Sequence, residues 1–139
     1  MKYDLEDRTL KFAESIIELC KKVPQTPVTL PIISQLIRSA TSIGANYAEA
    51  NGASSKKDFK NKIFICKKEA RETKYWLKLL TKAYPNLKKE CDICLKEART
   101  NPDILENSPK FKISVLKLTQ FKIQLKLRML ASSEFRVEK

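Results

Sequence analysis

The chain has 139 residues, of which 42% are hydrophobic and 32% are charged. This balance is typical of one soluble globular domain and excludes a disordered tail. Only two glycines occur, which disfavours an all-β fold with its many tight turns. There is no apolar run of about 18 residues, and the charged N-terminus lacks the apolar core of a signal peptide. We therefore expect a cytoplasmic protein that does not span a membrane, with its cysteines as thiols.

The net charge of +12 is unevenly distributed. Residues 1–50 carry six basic and six acidic side chains, whereas residues 51–100 carry 14 basic and six acidic ones. A field of this kind attracts polyanions such as RNA, DNA or an acidic protein face. The alternative interpretation is a solvated lysine-rich surface that serves solubility alone.

Two helices are predicted in the first half of the chain. The first is expected from about Asp4 to Lys22, and Pro24 and Pro27 follow it. Its apolar seam repeats at heptad spacing, at Leu5, Thr9, Phe12, Ile16, Leu19 and Val23. The second is expected from about Leu30 to Ala50, with Thr29 as its N-cap. Its seam residues follow the same heptad spacing; they are Ile33, Ile37, Ala40, Gly44, Tyr47 and Asn51. Because a glycine inside a helix costs about 1 kcal/mol relative to alanine, Gly44 indicates that a neighbouring helix packs closely there.

The third predicted helix begins after Ser54 or Ser55 and extends to about Tyr84, before Pro85. Its apolar seam repeats without a break at Phe59, Ile63, Cys66, Ala70, Thr73, Leu77, Leu80 and Tyr84. Seven basic residues recur within an arc of about 80°, at 3.6 residues per turn. They are Lys56, Lys60, Lys67, Arg71, Lys74, Lys78 and Lys82, and we call them the cationic edge. They predict phosphate contacts that do not read base sequence.

The same helix carries a second apolar surface away from the seam. Ile65, Trp76 and Leu79 form it, with Phe64 and Tyr75 nearby; we call the first three the apolar patch. It could be buried against a fourth helix of the same chain or between subunits of a ring-shaped oligomer, and the second interpretation is favoured.

The fourth helix is expected from about Asn86 to Arg99, with an interruption at Asn101–Pro102. Residues 111–130 fit a helix seam, yet residues 121–129 alternate as a strand would. A helix is favoured because a lone strand in a helical bundle has nothing to pair with. We expect one domain over residues 1–130 and a tail over residues 131–139.

Catalytic and metal chemistry find little support in the sequence. The absence of histidine excludes imidazole bases and histidine metal ligands. The single Cys91–Cys94 pair is a weak signal for a metal, and buried structural thiols are favoured. Glu69 and Glu72 lie three residues apart, and their basic neighbours favour ion pairing over catalysis. Arg38 and Glu49 on the second helix are the expected partners across the bundle. No metal and no cofactor are predicted.

Several segments together resemble the 23S ribosomal RNA intervening-sequence proteins, also called the four-helix bundle protein family. The segments that carry the resemblance are Tyr3–Glu6, Arg8–Leu10, Phe12–Ala13, Gln35–Ala50, Ser55–Phe59 and Lys67–Leu77. The resemblance implies an all-α, up-down antiparallel four-helix bundle that assembles as a homopentamer, with no enzymatic activity. A related branch is the accessory protein of diversity-generating retroelements, which binds a reverse transcriptase and nucleic acid. This chain departs from the family pattern after about residue 98, so an irregular or additional helical C-terminal segment is expected.

Three functional hypotheses follow. The first is a non-enzymatic, oligomeric helical bundle that binds RNA or DNA through the cationic edge. The second is a protein-interaction adaptor for an acidic partner or for a reverse transcriptase. The third, an enzyme that uses Glu69 or Glu72, has the least support.

Overall fold

The structure, a computed structural model, describes the backbone of residues 5–107, 119–120 and 122–130. It describes the side chains of the same residues except 100–107. The first of two compact units, residues 1–106, holds the helical bundle. Its helices are α1 (Leu5–Lys21), α2 (Thr29–Asn51), α3 (Lys56–Ala83) and α4 (Lys88–Asn107), with a short 3₁₀ helix at Pro85–Leu87. The fold is therefore the predicted all-α, up-down antiparallel four-helix bundle.

The second compact unit comprises residues 107–139, and its residues 119–120 and 122–130 are helical. The helix expected there is thus confirmed for these residues, while the expected tail at residues 131–139 lies outside the described part of the chain. The division into one domain over residues 1–130 and that tail stays a prediction. Among the described residues, none of the helices combines the length and the apolar character needed to cross a membrane.

Local side-chain chemistry explains where α2 and α3 begin. The Ser55 hydroxyl accepts a hydrogen bond from the Asp58 backbone N–H at 3.1 Å, which caps α3. The expected N-cap of α2, Thr29, is wrong, because Thr29 is already helical and its hydroxyl donates to the Pro24 carbonyl. The Thr26 hydroxyl instead accepts from the Thr29 N–H at 3.1 Å. Thr26, in the turn before α2, therefore supplies the capping hydrogen bond that was predicted for Thr29.

The predicted seams of α1 and α3 are the core of the bundle. Each predicted seam residue of α1 is buried, and so is each one of α3 except the half-buried Tyr84. In α2 the buried face is rotated slightly about the helix axis relative to the predicted seam. Its hydrophobic residues are Ile33, Leu36, Ala40, Ile43, Tyr47 and Ala50, whereas the predicted Ile37, Gly44 and Asn51 are half-buried. The sequence does not distinguish the two faces, because the small residues of α2 make several of its faces apolar enough to be buried.

Gly44 lies where α1 and α2 approach each other. A Cβ atom at this position would lie 3.3 Å from Thr9 Oγ1 and 3.5 Å from Thr9 Cβ. The Thr9 hydroxyl is fixed, because it donates to the backbone carbonyls of Leu5 and Glu6 at 2.9 and 3.0 Å. The close packing that the sequence indicated at Gly44 is therefore confirmed, and its partner is α1.

The four cysteines are free and buried. Burial raises the pKa of the Cys20 thiol to about 11 and that of Cys66 to about 12, and it also raises the pKa of Cys91 and Cys94. The Cys66 thiol donates to the Ile43 carbonyl at 3.3 Å, which joins α3 to α2. These features fit structural thiols, because a nucleophilic or metal-binding cysteine needs a lowered pKa.

The fourth helix is longer than the sequence predicts. It continues through Asn101 and Pro102 to Asn107, so the interruption expected at Asn101–Pro102 is wrong. A proline inside a helix removes one hydrogen bond to the carbonyl four residues before it, but the helix can continue on both sides. Arg8 ties α4 to α1, since its Nε lies 2.7 Å from Glu97 Oε1 and its Nη2 lies 3.1 Å from Glu97 Oε2.

Candidate nucleic-acid interface

The cationic edge lies on one continuous helix. α3 has 28 residues without a break, which corresponds to a length of about 42 Å at 1.5 Å per residue. All seven basic residues lie on it: Lys56, Arg71, Lys78 and Lys82 are exposed, and Lys60, Lys67 and Lys74 are half-buried. Their half-burial fits the stems of long side chains that lie along the helix while the ammonium groups reach solvent.

The carboxylates of α3 lie away from this edge. Asp58, Glu69 and Glu72 are its acidic residues, and at 100° per residue they lie about 80° or more around the axis from the nearest edge residue. Within the described part of the chain, no salt bridge joins a carboxylate to Lys56, Lys60, Arg71, Lys74, Lys78 or Lys82. No carboxylate of the described residues therefore neutralises the positive charge of these six side chains.

Two aromatic rings border the cationic edge. Phe64 is 49% exposed and Tyr75 is 56% exposed. The Nζ atoms of Lys60 and Lys67 lie 5.7 and 5.8 Å from the centre of the Phe64 ring, within cation–π distance. The sequence indicated Phe64 only as a neighbour of the apolar patch. The spacing of four and three residues between the ring and the two lysines is a signal that could have revealed this contact.

Arg38 on α2 is the partner of both Glu69 and Glu72. Its Nη1 lies 3.2 Å from Glu69 Oε2, and its Nη2 donates to Glu72 Oε1. The Trp76 indole N–H also donates to Glu72, at 3.2 Å. The hydrogen bond from Arg38, followed by that from Trp76, lowers the pKa of the Glu72 carboxyl from its ordinary value. Neither glutamate is an unpaired acid or base, and the two ion pairs of Arg38 join α2 to α3.

Glu49 has a different partner from the one expected. Its carboxylate accepts a hydrogen bond from Lys62 on α3. It was expected further along the bundle, near Glu69 and Glu72. The reason is geometric, since Glu49 lies near the end of α2, and an antiparallel neighbour presents the beginning of α3 there. Lys62 lies outside the cationic edge, so this pair leaves the edge unchanged.

The apolar patch is partly open to solvent on the single chain. Ile65 is 37% exposed, and Trp76 and Leu79 are half-buried. No group of three or more His, Cys, Asp or Glu side chains in the described ranges is arranged to hold a metal ion. The arrangement on α3 therefore consists of a row of cations, two bordering aromatic rings and an adjoining apolar surface.

Comparisons with known proteins agree with this architecture. A family model, that of the 23S rRNA-intervening sequence protein, matches residues 1–107. The chain is also similar to a crystal structure of a protein with unknown function from the S23 ribosomal protein family of Bacteroides thetaiotaomicron VPI-5482. The two are 34% identical, the match covers 73% of this chain and 94% of that chain, and the TM-score is 0.65. None of the curated proteins compared with the chain matches it. Because the family model spans most of the chain, this protein belongs to the 23S rRNA-intervening sequence protein family.

Proposed function

We propose that the protein is a non-enzymatic, oligomeric helical bundle that binds RNA or DNA through the cationic edge. The observation that carries the proposal is the row of seven cations on one unbroken helix, six of them without a carboxylate partner among the described residues. Such a row contacts phosphates without reading bases, and the binding should therefore depend weakly on sequence and strongly on salt. Free thiols also favour a reducing, cytoplasmic location.

Neutralising three cations of the edge tests the proposal. In the triple variant Lys60→Gln, Lys67→Gln and Lys74→Gln, three phosphate contacts are lost. The slope of log affinity against log salt should become less steep by about 2–3, at 0.7 to 0.9 per contact. Fluorescence anisotropy with a labelled oligonucleotide, measured between about 50 and 200 mM salt, gives this slope.

A matched control removes the same total charge elsewhere. Lys11, Lys21 and Lys88 each pair with a carboxylate on their own helix, at 2.8, 3.2 and 2.6 Å. Their triple replacement by glutamine should leave the slope nearly unchanged. Equal slopes for both triple variants would reject the cationic edge as the interface and favour an effect of net charge alone.

Self-association is the second part of the proposal. The apolar patch adjoins the cationic edge, and Ile65 is 37% exposed on the single chain, so contact with another copy would cover it. A homopentamer, which family membership favours, has five times the chain mass of 16.0 kDa. Sedimentation equilibrium measures this directly.

We expect Ile65→Lys to dissociate the oligomer, because burying an unpaired ammonium in a subunit contact costs about 2 kcal/mol or more. The control is Ile93→Lys on α4, where the isoleucine is 70% exposed. The apolar patch would not be a subunit contact if the unmodified protein had the mass of a single chain. The same conclusion would follow if Ile65→Lys and Ile93→Lys had the same mass.

An adaptor for an acidic protein, such as a reverse transcriptase, is the second candidate. The observation in its favour is that apolar and cationic residues adjoin on α3, since protein interfaces combine both. Binding to a purified acidic partner that persists after nuclease treatment, together with the absence of oligonucleotide binding, would favour this candidate over the first.

A further inference from the structure

Phe64 and Tyr75 lie on the same side of α3. At 100° and 1.5 Å per residue, the two positions differ by about 20° around the helix axis and by about 16 Å along it. Both lie between the cationic edge and the apolar patch, and about half of each side chain is exposed. Two aromatic side chains are thus partly open to solvent, in a row that runs parallel to the cations.

Each ring is positioned by its neighbours. Phe64 lies near both Lys60 and Lys67, at the cation–π distances given above. The Tyr75 ring packs edge-to-face against Trp76, with 5.0 Å between ring centres and 75° between planes. An edge-to-face contact uses the edge of one ring and leaves other ring surface available. Phe64 is therefore held close to two cations, Tyr75 is held against Trp76 of the apolar patch, and neither ring lies in the core.

The charges around Phe64 argue against a contact between subunits. Two ammonium groups lie close to one ring, and covering them with an apolar surface would cost desolvation free energy. Next to a phosphate backbone the same two groups are favourable, since phosphates supply the opposite charge. The ring and its lysines thus match a partner that combines negative charge with flat apolar faces.

Resting on the proposed function of the cationic edge, we propose that its partner is single-stranded nucleic acid. Bases of the strand stack on Phe64 and Tyr75 while its phosphates contact the cationic edge. Unpaired bases offer their faces, and base–aromatic stacking tolerates any sequence because every base has a π-face. A duplex keeps its bases stacked inside, so an aromatic side chain reaches them only after costly unstacking.

Three labelled probes of about 20 nucleotides, longer than typical single-strand sites, test the proposal by anisotropy at one salt concentration. They are an oligothymidine strand, a strand of the same length with abasic sugars, and a duplex. The abasic strand has the phosphates but no bases. We expect the oligothymidine strand to bind at least about 5-fold more tightly than the abasic strand, and also more tightly than the duplex.

Ring-removing variants locate the contact. Phe64→Leu and Tyr75→Leu keep an apolar side chain but remove the π-face. Each should weaken oligothymidine binding by about 5- to 100-fold and leave abasic binding unchanged. Phe64→Trp should restore the affinity because it restores a ring. Leu10→Ala on α1, where the leucine is 56% exposed, is the control for the loss of an exposed apolar residue.

The outcomes separate this inference from the proposed function. Equal binding of the oligothymidine and abasic strands, with no effect of Phe64→Leu, would overturn the inference and leave phosphate binding intact. Failure of all three probes to bind would reject the proposed function itself. A smaller mass of Phe64→Leu in sedimentation would make the ring a subunit contact and would also overturn the inference.

Discussion

Replacing Gly44 by valine should lower the free energy of unfolding by about 2–3 kcal/mol. Its Cβ atom alone would lie 3.3 Å from Thr9 Oγ1, and the two methyl groups that follow need space that α1 already fills. Thr9 is buried, and two backbone carbonyls fix its hydroxyl, so the threonine side chain does not turn away. Valine regains only about 0.4 kcal/mol of helix propensity over glycine. Urea unfolding followed by circular dichroism measures the change.

Two further variants define the cause of this loss. Gly44→Ala should lie within about 1 kcal/mol of the natural protein, because the gain in helix propensity offsets a small displacement of α1. Ala45→Val places the same valine at the next position of α2, which is exposed, and should cost less than about 1 kcal/mol. If Gly44→Val and Ala45→Val unfold at the same urea concentration, the close approach of α1 and α2 does not limit the residue at position 44.

Replacing Arg38 by methionine should lower the free energy of unfolding by about 2–3 kcal/mol at pH 7. The variant leaves Glu69, whose side chain is 11% exposed, without its cationic partner, and an uncompensated buried charge costs about 3–5 kcal/mol. The Arg38 side chain is itself 47% exposed, which reduces the expected loss. Most of this loss is the cost of leaving Glu69 unpaired and not the net contribution of the ion pair to stability.

The effect of Arg38→Met should depend on pH. Arg38 lowers the pKa of Glu72 in the folded protein, so the pair stabilises the fold at pH values above the ordinary glutamate pKa of about 4.3. As the pH falls through the lowered pKa, Glu72 takes up a proton and this contribution is lost. The difference in stability between the natural protein and Arg38→Met should thus be largest near pH 7 and smaller at acidic pH.

Trp76 gives a direct measurement of this titration. It is the only tryptophan in the sequence, and its indole N–H donates to Glu72, so its fluorescence should follow the protonation of that carboxylate. Lys11→Met, which breaks an exposed pair with Asp7, is the control and should leave the free energy of unfolding nearly unchanged, because solvent screens exposed pairs. A pH-independent difference for Arg38→Met would contradict the assigned role of Glu72.

The elements that could be predicted from the sequence are those for which the capping residue, the hydrophobic spacing and the terminating residue all indicate the same helix. In α3 an N-capping serine, an unbroken heptad seam and a terminal proline all indicate the same helix, and the structure has it over Lys56–Ala83. Gly44 was informative because few causes other than close packing explain a glycine inside a helix. The cationic edge is recognised from its spacing alone, since positions on one helix share a face whatever the neighbouring helices do.

The remaining features depend on contacts between elements. The seam of α2 was placed wrongly at Ile37 because its small residues make several faces apolar, and only the neighbouring helices choose among them. Pro102 was expected to end α4, yet one lost hydrogen bond does not end a helix that continues on both sides. The Phe64 contact was missed because heptad analysis assigns residues to a core or a surface, and a ring between two lysines belongs to neither.

The buried thiols have a consequence for how binding could be controlled. Histidine and cysteine are the side chains whose ordinary pKa values lie closest to neutrality. Histidine is absent from this chain, and burial raises the pKa of all four cysteines. A moderate change of pH around neutrality therefore does not change the charge of the protein through either residue type. For the strand proposed to bind α3, release would therefore respond to ionic strength and competing polyanions rather than to the protonation of histidine or cysteine.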